Sequence, residues 1–259
     1  MHLGEEGLTD RNLLELRVRH SDQVYIHKFT RAAESRTGAD WEWWLMAHNG
    51  HCLGFRIQAK VLDTATDCYR YLHHRHGDRY QVDALIKRAL TGTYRTIPLV
   101  CLYSHVSRRL LRHVDGRCCS FSNRALYGCS VVSAFCVQQL RSKTAVPDIL
   151  PFATPWHCLV CCSQFGGDSL PARALTYWRR NVLDRDRRHG MHGGPGLSPR
   201  PTLPDGSDLF REYGAIQLLN RPPSHVERLM TTRRPQVEPP DANLNGIIVL
   251  REQSEPTLQ

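Results

Sequence analysis

The sequence of 259 residues has no long hydrophobic run, no recognisable signal segment and very little lysine. No apolar stretch approaches the roughly 20 residues that a membrane-spanning helix needs. The first residues, MHLGEEGLTD, have neither the basic nor the apolar region of a secretory signal. We therefore expect a cytoplasmic protein with no membrane segment. Hydrophobic residues make up 41% of the chain, which suits a globular core and argues against widespread disorder.

The ten cysteines of the chain raise two interpretations. Without a secretory signal, buried reduced thiols are expected rather than a disulfide framework. The spacing of His157, Cys158 and Cys161, together with Cys118 and Cys119, raises a structural zinc site as an alternative. The apolar, strand-like context of WHCLVCC argues against zinc, because structural zinc pairs usually lie in turns.

The net charge of +9 is concentrated in the middle of the chain. Residues 1–60 hold 8 basic and 8 acidic side chains, residues 61–200 hold 20 and 9, and residues 201–259 hold 6 and 8. A basic middle section suits a polyanionic partner such as nucleic acid. An arginine-rich composition produces the same pattern, so charge alone supports nucleic-acid binding weakly.

Hydrophobic periodicity predicts strands that alternate with helices. Two strands, GADWEWWLMA and CLGFRIQAKVL, are joined by the turn-forming HNGH into a hairpin. Trp41 and Trp43 are expected in the core, and Glu42 is expected to pair with Arg56 across the hairpin. A further helix is predicted at 10–20, capped by Thr9-Asp10 and with Leu13, Leu14 and Leu16 facing inward. The other predicted helices lie at 64–77, 80–92, 122–142 and 223–232. The other predicted strands lie at 23–30, 97–104, 155–162 and 245–250.

This order predicts an α/β domain with a mixed sheet flanked by helices. We expect the domain to span residues 1–183. Residues 184–208 are rich in glycine, proline and charge and are expected to form a loop. Residues 209–259 are then a C-terminal extension that packs on the same domain.

The hairpin carries polar side chains where chemistry can occur. Antiparallel pairing brings Asp40 next to the face that holds Gln58 and Lys60. A carboxylate, an amide oxygen and an ammonium suit a hard cation such as Mg²⁺ and a phosphate. Only 4 of the 34 basic residues are lysines, so a lysine at this position is modest evidence that an ammonium is required.

These residues resemble the PD-(D/E)XK, restriction-endonuclease-like superfamily. An acid after Gly-Ala, a hairpin and a strand ending in Gln-Ala-Lys are similar to its Mrr-type enzymes, in which glutamine replaces the usual acid. The string TGADWEWW…GFRIQAK also resembles an uncharacterised bacterial family with no assigned activity. The nuclease resemblance covers roughly residues 10–104.

The resemblance implies a role for each matching residue. Asp40, Gln58 and the upstream Glu34 would hold Mg²⁺ or Mn²⁺, Lys60 would be the catalytic lysine, and Gln81 would face the site from the next helix. Gln58 is neutral where most members have an acid, which lowers the expected metal affinity unless Glu34 or Glu42 compensates.

The function expected on this basis is metal-dependent hydrolysis of nucleic-acid phosphodiester bonds. The resemblance favours DNA as the substrate, a role in bacterial defence or restriction, and action as a homodimer. The alternative is a nucleic-acid-binding module of the same fold without catalytic activity. A zinc-holding scaffold built from the cysteines is a third interpretation.

Overall fold

The fold is built around a seven-stranded mixed sheet with helices packed against it. The computed structural model describes residues 4–29, 39–105, 124–161, 166–183, 214–232, 240 and 244–253. The strands of this sheet are β1 (Val24–Lys28), β2 (Trp41–Met46), β3 (Cys52–Val61), β6 (Ile97–Tyr103), β7 (Cys129–Ser133), β8 (Thr154–Pro155) and β9 (Gly246–Arg251). Their spatial order is β1-β9-β2-β3-β6-β7-β8, and β4 (Arg75–His76) pairs with β5 (Arg79–Tyr80) in a separate ribbon.

The helices are mostly short. They are α1 (Glu5–Arg19), α2 (Gln81–Thr91), α3 (Ala134–Gln139), α4 (Val146–Ile149), α5 (Cys158–Cys161), α6 (Leu170–Tyr177) and α7 (Ser224–Thr231). Two 3₁₀ segments lie at Arg124–Gly128 and Leu150–Phe152, and a π-helical turn lies at Trp178–Leu183. The expected α/β class, with a mixed sheet flanked by helices, is confirmed. No helix in the described part of the chain has the length and apolar character needed to cross a bilayer.

The predicted hairpin forms the centre of the sheet. β2 and β3 are antiparallel, with Trp41 opposite Ile57 and Glu42 opposite Arg56. Their turn contains Gly50, whose φ of +83° favours glycine. The helix α2 then carries the chain to β6, which is parallel to β3. Trp41 and Trp43 are buried in the core, as the sequence predicts.

The strand β9 lies inside the sheet, between β1 and β2. It is antiparallel to β1 and parallel to β2, so both of its edges are hydrogen-bonded. Gly246 stands opposite Trp41, and a Cβ at this position would lie 2.6 Å from the carbonyl oxygen of His27 and closer still to the Trp41 ring. The residue before β2 is thereby fixed from two sides, since Asp40 also accepts a hydrogen bond at its carbonyl from the Asn245 amide.

The first helix differs from its prediction. It begins at Glu5 instead of residue 10, and Thr9 lies inside it instead of capping it. The Thr9 hydroxyl hydrogen-bonds to the Glu5 carbonyl and to the Tyr103 hydroxyl, both at 2.9 Å. Leu13 is buried as expected, but Leu14 is 64% exposed, so its predicted inward orientation is wrong.

The helix predicted at 64–77 is also wrong. Turns and the β4 strand occupy this segment. The Asp63 carboxylate accepts a hydrogen bond from the Ala65 amide, which stabilises a turn. The Tyr69 amide then donates to the carbonyl of Thr144 at 2.8 Å, a contact between segments distant in the sequence.

Two predictions in the second half of the chain assign the wrong type of secondary structure. The helix expected from Ser122 to 142 is a 3₁₀ turn, the strand β7 and only then α3, which Ser133 caps by accepting from the Phe135 amide. The strand expected at 155–162 ends at Pro155, and α5 follows. Cys158 is disulfide-bonded, contrary to expectation. The described cysteines that form no disulfide are Cys52, Cys68, Cys101, Cys129, Cys136 and Cys161. The predicted loop at 184–208 and Glu34 lie outside the described residues, and the division at 183 and 208 stays a prediction.

Candidate active site

Asp40 is held against β3 at the mouth of β2. Its amide donates to the carbonyl of Ile57 at 2.8 Å, and one of its carboxylate oxygens accepts from the amide of Ala59 at 2.7 Å. Side chains alternate along a strand, so Gln58 and Lys60 lie on one face of β3 and Ala59 lies on the other. Asp40 lies directly before the neighbouring strand across the hairpin, close enough for the charge of Lys60 to act on its carboxyl.

Gln81 fixes the orientation of two of these side chains. It is the first residue of α2, and its amide oxygen accepts from Gln58 Nε2 at 2.8 Å and from Lys60 Nζ at 3.3 Å. Gln81 thus faces the site, as the sequence predicts. Because the amide nitrogen of Gln58 is committed to Gln81, its amide oxygen points away from Gln81.

The amide oxygen of Gln58 is buried and has no hydrogen-bond partner. Gln58 as a whole is 2% exposed. Leaving a buried acceptor unsatisfied costs about 1–3 kcal/mol, so such an atom calls for an explanation. An oxygen of this kind beside a carboxylate is a fitting ligand for a hard cation.

Asp40 has an unusual acidity. Burial raises the pKa of its carboxyl from 3.8 to about 6, against the lowering effects of the Ala59 amide and the Lys60 charge. The negative charges of Glu5 and Glu6 raise this pKa further. Asp40 is therefore ionised at neutral pH but protonated in mild acid, within the range where a small change in surroundings changes its charge.

Glu5 and Glu6 are the site residues that sequence reasoning missed. They lie in the first turn of α1 and, with Lys60 and Gln81, line a cavity of about 910 Å³. The signal available in the sequence was the acidic pair in EEGLTD, which is typical of a first helical turn. The predicted helix start at residue 10 left the pair outside the helix.

One family model matches almost the whole chain. The family model described as a family of unknown function (DUF6615) matches residues 1–256. The chain belongs to the DUF6615 family. No curated protein and no solved structure matches the chain.

The donor set of this DUF6615 member fits a hard cation with few protein ligands. Among the described residues, no group of three or more histidine, cysteine, aspartate or glutamate side chains is placed to hold a metal ion. Asp40 and Gln58 offer one carboxylate and one amide oxygen. Mg²⁺ is commonly bound by one or two carboxylates and completes its shell with water and substrate phosphate. The unpartnered oxygen of Gln58 lies on the same face of β3 as Lys60.

Glu42, which sequence analysis considered as a compensating ligand, is used elsewhere. One of its oxygens accepts from Trp44 Nε1 at 2.7 Å and lies 2.9 Å from Nε2 of His225, and the other lies 3.4 Å from the guanidinium of Arg56. The predicted pair with Arg56 is confirmed. Glu42 is thus a structural carboxylate on the same sheet face, two residues from Asp40.

Proposed function

We propose that this protein is a metal-dependent phosphodiesterase of the nuclease type that hydrolyses nucleic acid, with DNA the favoured substrate. The observation that carries the proposal is the buried, unpartnered amide oxygen of Gln58, a residue that shares a face of β3 with Lys60 and lies across the hairpin from Asp40. The resemblance to Mrr-type enzymes adds the preference for DNA, a defence or restriction role and action as a homodimer. A cytoplasmic location is the expectation from the sequence.

Each residue has a defined task in this proposal. Asp40 and Gln58 would hold Mg²⁺ or Mn²⁺, which when bound polarises a phosphate oxygen and acidifies a water molecule. Lys60 is 6% exposed, so its ammonium is presented to the cavity with little competing water. There it stabilises negative charge that develops on the phosphate. Gln81 positions both Gln58 and Lys60.

The cavity beside Lys60 combines charged groups of both signs with an exposed aromatic ring. Arg70, Tyr71 and His74 line it, Tyr71 is 65% exposed, and Arg70 forms an ion pair with Asp63. An exposed aromatic ring of this kind can stack a base of a polynucleotide.

The decisive experiment is cleavage of supercoiled plasmid, single-stranded DNA and RNA, with Mn²⁺ and with EDTA. Wild type would be compared with Asp40→Ala and Lys60→Ala, and with Lys87→Ala as a matched control. Lys87 is an exposed lysine of α2 that does not line the cavity. We expect metal-dependent cleavage that falls by at least about 100-fold in the two site variants, a typical contribution of such groups. The Lys87 variant should cleave like wild type.

Circular dichroism must show that each variant is folded. Cleavage that persists in folded Asp40→Ala and Lys60→Ala would refute the assignment of the site.

A second candidate function follows from the charge of Gln58. With one carboxylate and one neutral amide, the site has less negative charge than a two-acid site and a correspondingly lower metal affinity. The alternative is a nucleic-acid-binding module that uses the basic residues of segment 61–200 without hydrolysis. It would show gel-shift binding that is unchanged by EDTA, weakens steeply with salt and survives Lys60→Ala, without cleavage under any condition.

A further inference from the structure

The ribbon of β4 and β5 stands at the edge of the cavity that contains Lys60. The strand β4 follows His74 and the strand β5 precedes Gln81, and both of these residues line the cavity. The Gln81 amide donates to the carbonyl of His74 at 3.0 Å, which joins the two ends of the ribbon. The proposed hydrolysis assigns no task to the residues between them.

Contacts with neighbouring segments hold the foot of the ribbon in place. His73 Nε2 donates to the carbonyl of Lys143 at 2.7 Å. The guanidinium of Arg141 lies 4.3 Å from the centre of the Tyr80 ring and donates to the two carboxylate oxygens of Asp83, at 2.6 and 2.7 Å. The ribbon is therefore anchored both on α2, which contains Asp83, and on the segment that follows α3.

The ribbon presents cationic side chains on both of its faces. Arg75 stands opposite Tyr80, and His76 stands opposite Arg79. Residues directly opposite each other share a face and successive residues alternate, so Arg75 lies on one face and Arg79 on the other. Arg75, His76 and Arg79 are all exposed.

The charges of the two ribbon arginines are not neutralised by an ion pair. Arg75 lies 4.1 Å from the centre of the Tyr80 ring and donates to its hydroxyl. A guanidinium has five N–H donors, so Arg75 keeps donors for an anion outside the chain. Within the described residues, no carboxylate pairs with Arg75 or Arg79, whereas the neighbouring Arg141 is paired with Asp83.

The cavity itself is a poor source of attraction for a polyanion. Its lining includes the acidic residues Glu5, Glu6 and Asp63, and Asp63 is paired with Arg70. Unpaired cations that could hold a negatively charged chain at this edge are found on the ribbon, where Asp78 is the one acid of the segment HHRHGDRY. Cationic side chains next to an acidic site can hold the parts of a polyanion that extend beyond it.

The dimensions of the ribbon suit a regularly spaced anion. Three residues separate Gln81 from Asp78 in the turn, which is about 10 Å of extended chain. The phosphates of one nucleic-acid strand recur about every 3.4 Å along the helix axis, so the ribbon spans about three of them. Its two faces can then contact phosphates on either side of the ribbon.

We propose that the β4–β5 ribbon binds the phosphate backbone of nucleic acid that extends beyond the Lys60 cavity, with Arg75 and Arg79 as the contacts. The inference rests on the proposed function, because it takes nucleic acid as the ligand of that cavity. Contacts with phosphates carry no sequence information, so the ribbon contributes affinity and positioning without sequence preference.

Fluorescence anisotropy with the full chain tests the ribbon without requiring cleavage. The probes are two labelled DNA duplexes of about 20 base pairs with unrelated sequences, titrated in EDTA from about 50 to about 300 mM sodium chloride. Wild type is compared with the double variant Arg75→Gln/Arg79→Gln. The control is Arg251→Gln, which removes an exposed arginine from the end of β9 that lies beside Met46, at the opposite end of β2 from Asp40.

We expect the double variant to bind both duplexes at least about tenfold more weakly than wild type, because two charge-assisted hydrogen bonds are lost. The slope of log affinity against log salt should become shallower by about 2, at about 0.9 for each phosphate contact. Arg251→Gln should match wild type in affinity and slope. Thermal melting should show equal stability, because the substituted side chains are exposed.

Two results would refute the ribbon as a nucleic-acid contact. One is a double variant whose affinity and salt slope equal those of wild type, and the other is absence of duplex binding by wild type in EDTA. Unlabelled duplex should also displace the probe better than polyglutamate at equal total charge, because its charges are more closely spaced. Equal displacement would identify an acidic protein surface as the partner instead.

The outcome is independent of the test of hydrolysis. Cleavage in Mn²⁺ that requires Asp40 and Lys60, together with an unaffected double variant in EDTA, would reject the ribbon and keep the proposed function. Binding that depends on Arg75 and Arg79, together with no cleavage under any condition, would keep the ribbon and favour the binding module over the nuclease.

Discussion

Because Asp40 is buried, a rise in pH should change the stability of the protein and the proposed metal binding in opposite directions. The pKa of its carboxyl is about 6 in the folded chain and 3.8 in its ordinary state. Because the folded value is the higher one, the protonated form favours folding. That contribution is complete below pH 3.8 and is lost as the pH rises through about 6. Metal binding requires the ionised form and therefore improves over the same interval.

Asp40→Asn should consequently stabilise the metal-free protein at pH 8 and have little effect at pH 4. The stabilisation should approach about 3 kcal/mol at most, by the free energy equivalent of such a pKa change. Asparagine can still accept the hydrogen bond from Ala59. Melting temperatures in EDTA from pH 4 to pH 8.5 provide the measurement.

Addition of Mn²⁺ at pH 8 should raise the melting temperature of wild type and leave that of Asp40→Asn unchanged. A variant that is less stable than wild type at pH 8 in EDTA would contradict this account of the buried carboxyl.

In the proposed metal site, Gln58 decides how strongly a cation is held. Gln58→Glu should increase Mn²⁺ affinity about tenfold at pH 8, because a carboxylate replaces a neutral oxygen next to a hard cation. The amide of Gln81, which is only partly buried, can turn to donate to the new group. Gln58→Leu should abolish measurable Mn²⁺ binding. Calorimetric titration compares the three proteins, and equal Mn²⁺ affinity in all of them would place the metal elsewhere.

At the scale of elements, β9 secures the start of β2 from the side opposite β3. Gly246→Ala should destabilise the protein by about 3 kcal/mol, because the added methyl group meets the His27 carbonyl and the Trp41 ring with little room to move. Gly214→Ala is the matched control, since its added methyl group meets nothing within 4 Å. Urea denaturation measures both, and similar midpoints would show that the strands separate easily here.

Local sequence patterns predict those elements whose structure is determined by their own side chains. The alternation in β2 and β3, the turn at Asn49-Gly50 and the apolar stripe of α2 are such patterns, and they also bring Asp40, Gln58, Lys60 and Gln81 together. Contacts between distant segments do not appear in local patterns. The hydrogen bond from the Tyr69 amide to the Thr144 carbonyl is such a contact, and it lies in a segment that forms turns instead of the predicted helix.

The site was only partly predictable for the same reason. Glu5 and Glu6 reach the cavity because α1 begins early and packs near β3, which depends on tertiary structure. The position of β9 between β1 and β2 depends on pairing across more than 200 residues of sequence. Likewise, His225 and Glu42 lie 183 residues apart in sequence, and no local pattern relates them.

At the scale of the whole molecule, α2 separates the cavity that contains Lys60 from a second cavity, which Glu42, Arg56 and Arg88 line. Gln81 lies at its first residue beside Lys60, and Arg88 and Thr91 lie in its last turn beside the second cavity. Along β3, Arg56 and Lys60 are four residues apart, or about 13 Å in an extended strand. The helix α2 and the strand β3 therefore contribute residues to both cavities.

The internal position of β9 also limits when this protein can become active. During synthesis β1 and β2 emerge early, yet the strand that joins them is completed only at Arg251, about 190 residues after the end of β3. At about 5–20 residues per second, the ribosome needs roughly 10–40 s to cover that distance. Until then the corner that holds Asp40 lacks one of its walls. Under the proposed function, a nascent chain therefore cannot hydrolyse nucleic acid before Arg251 has been added.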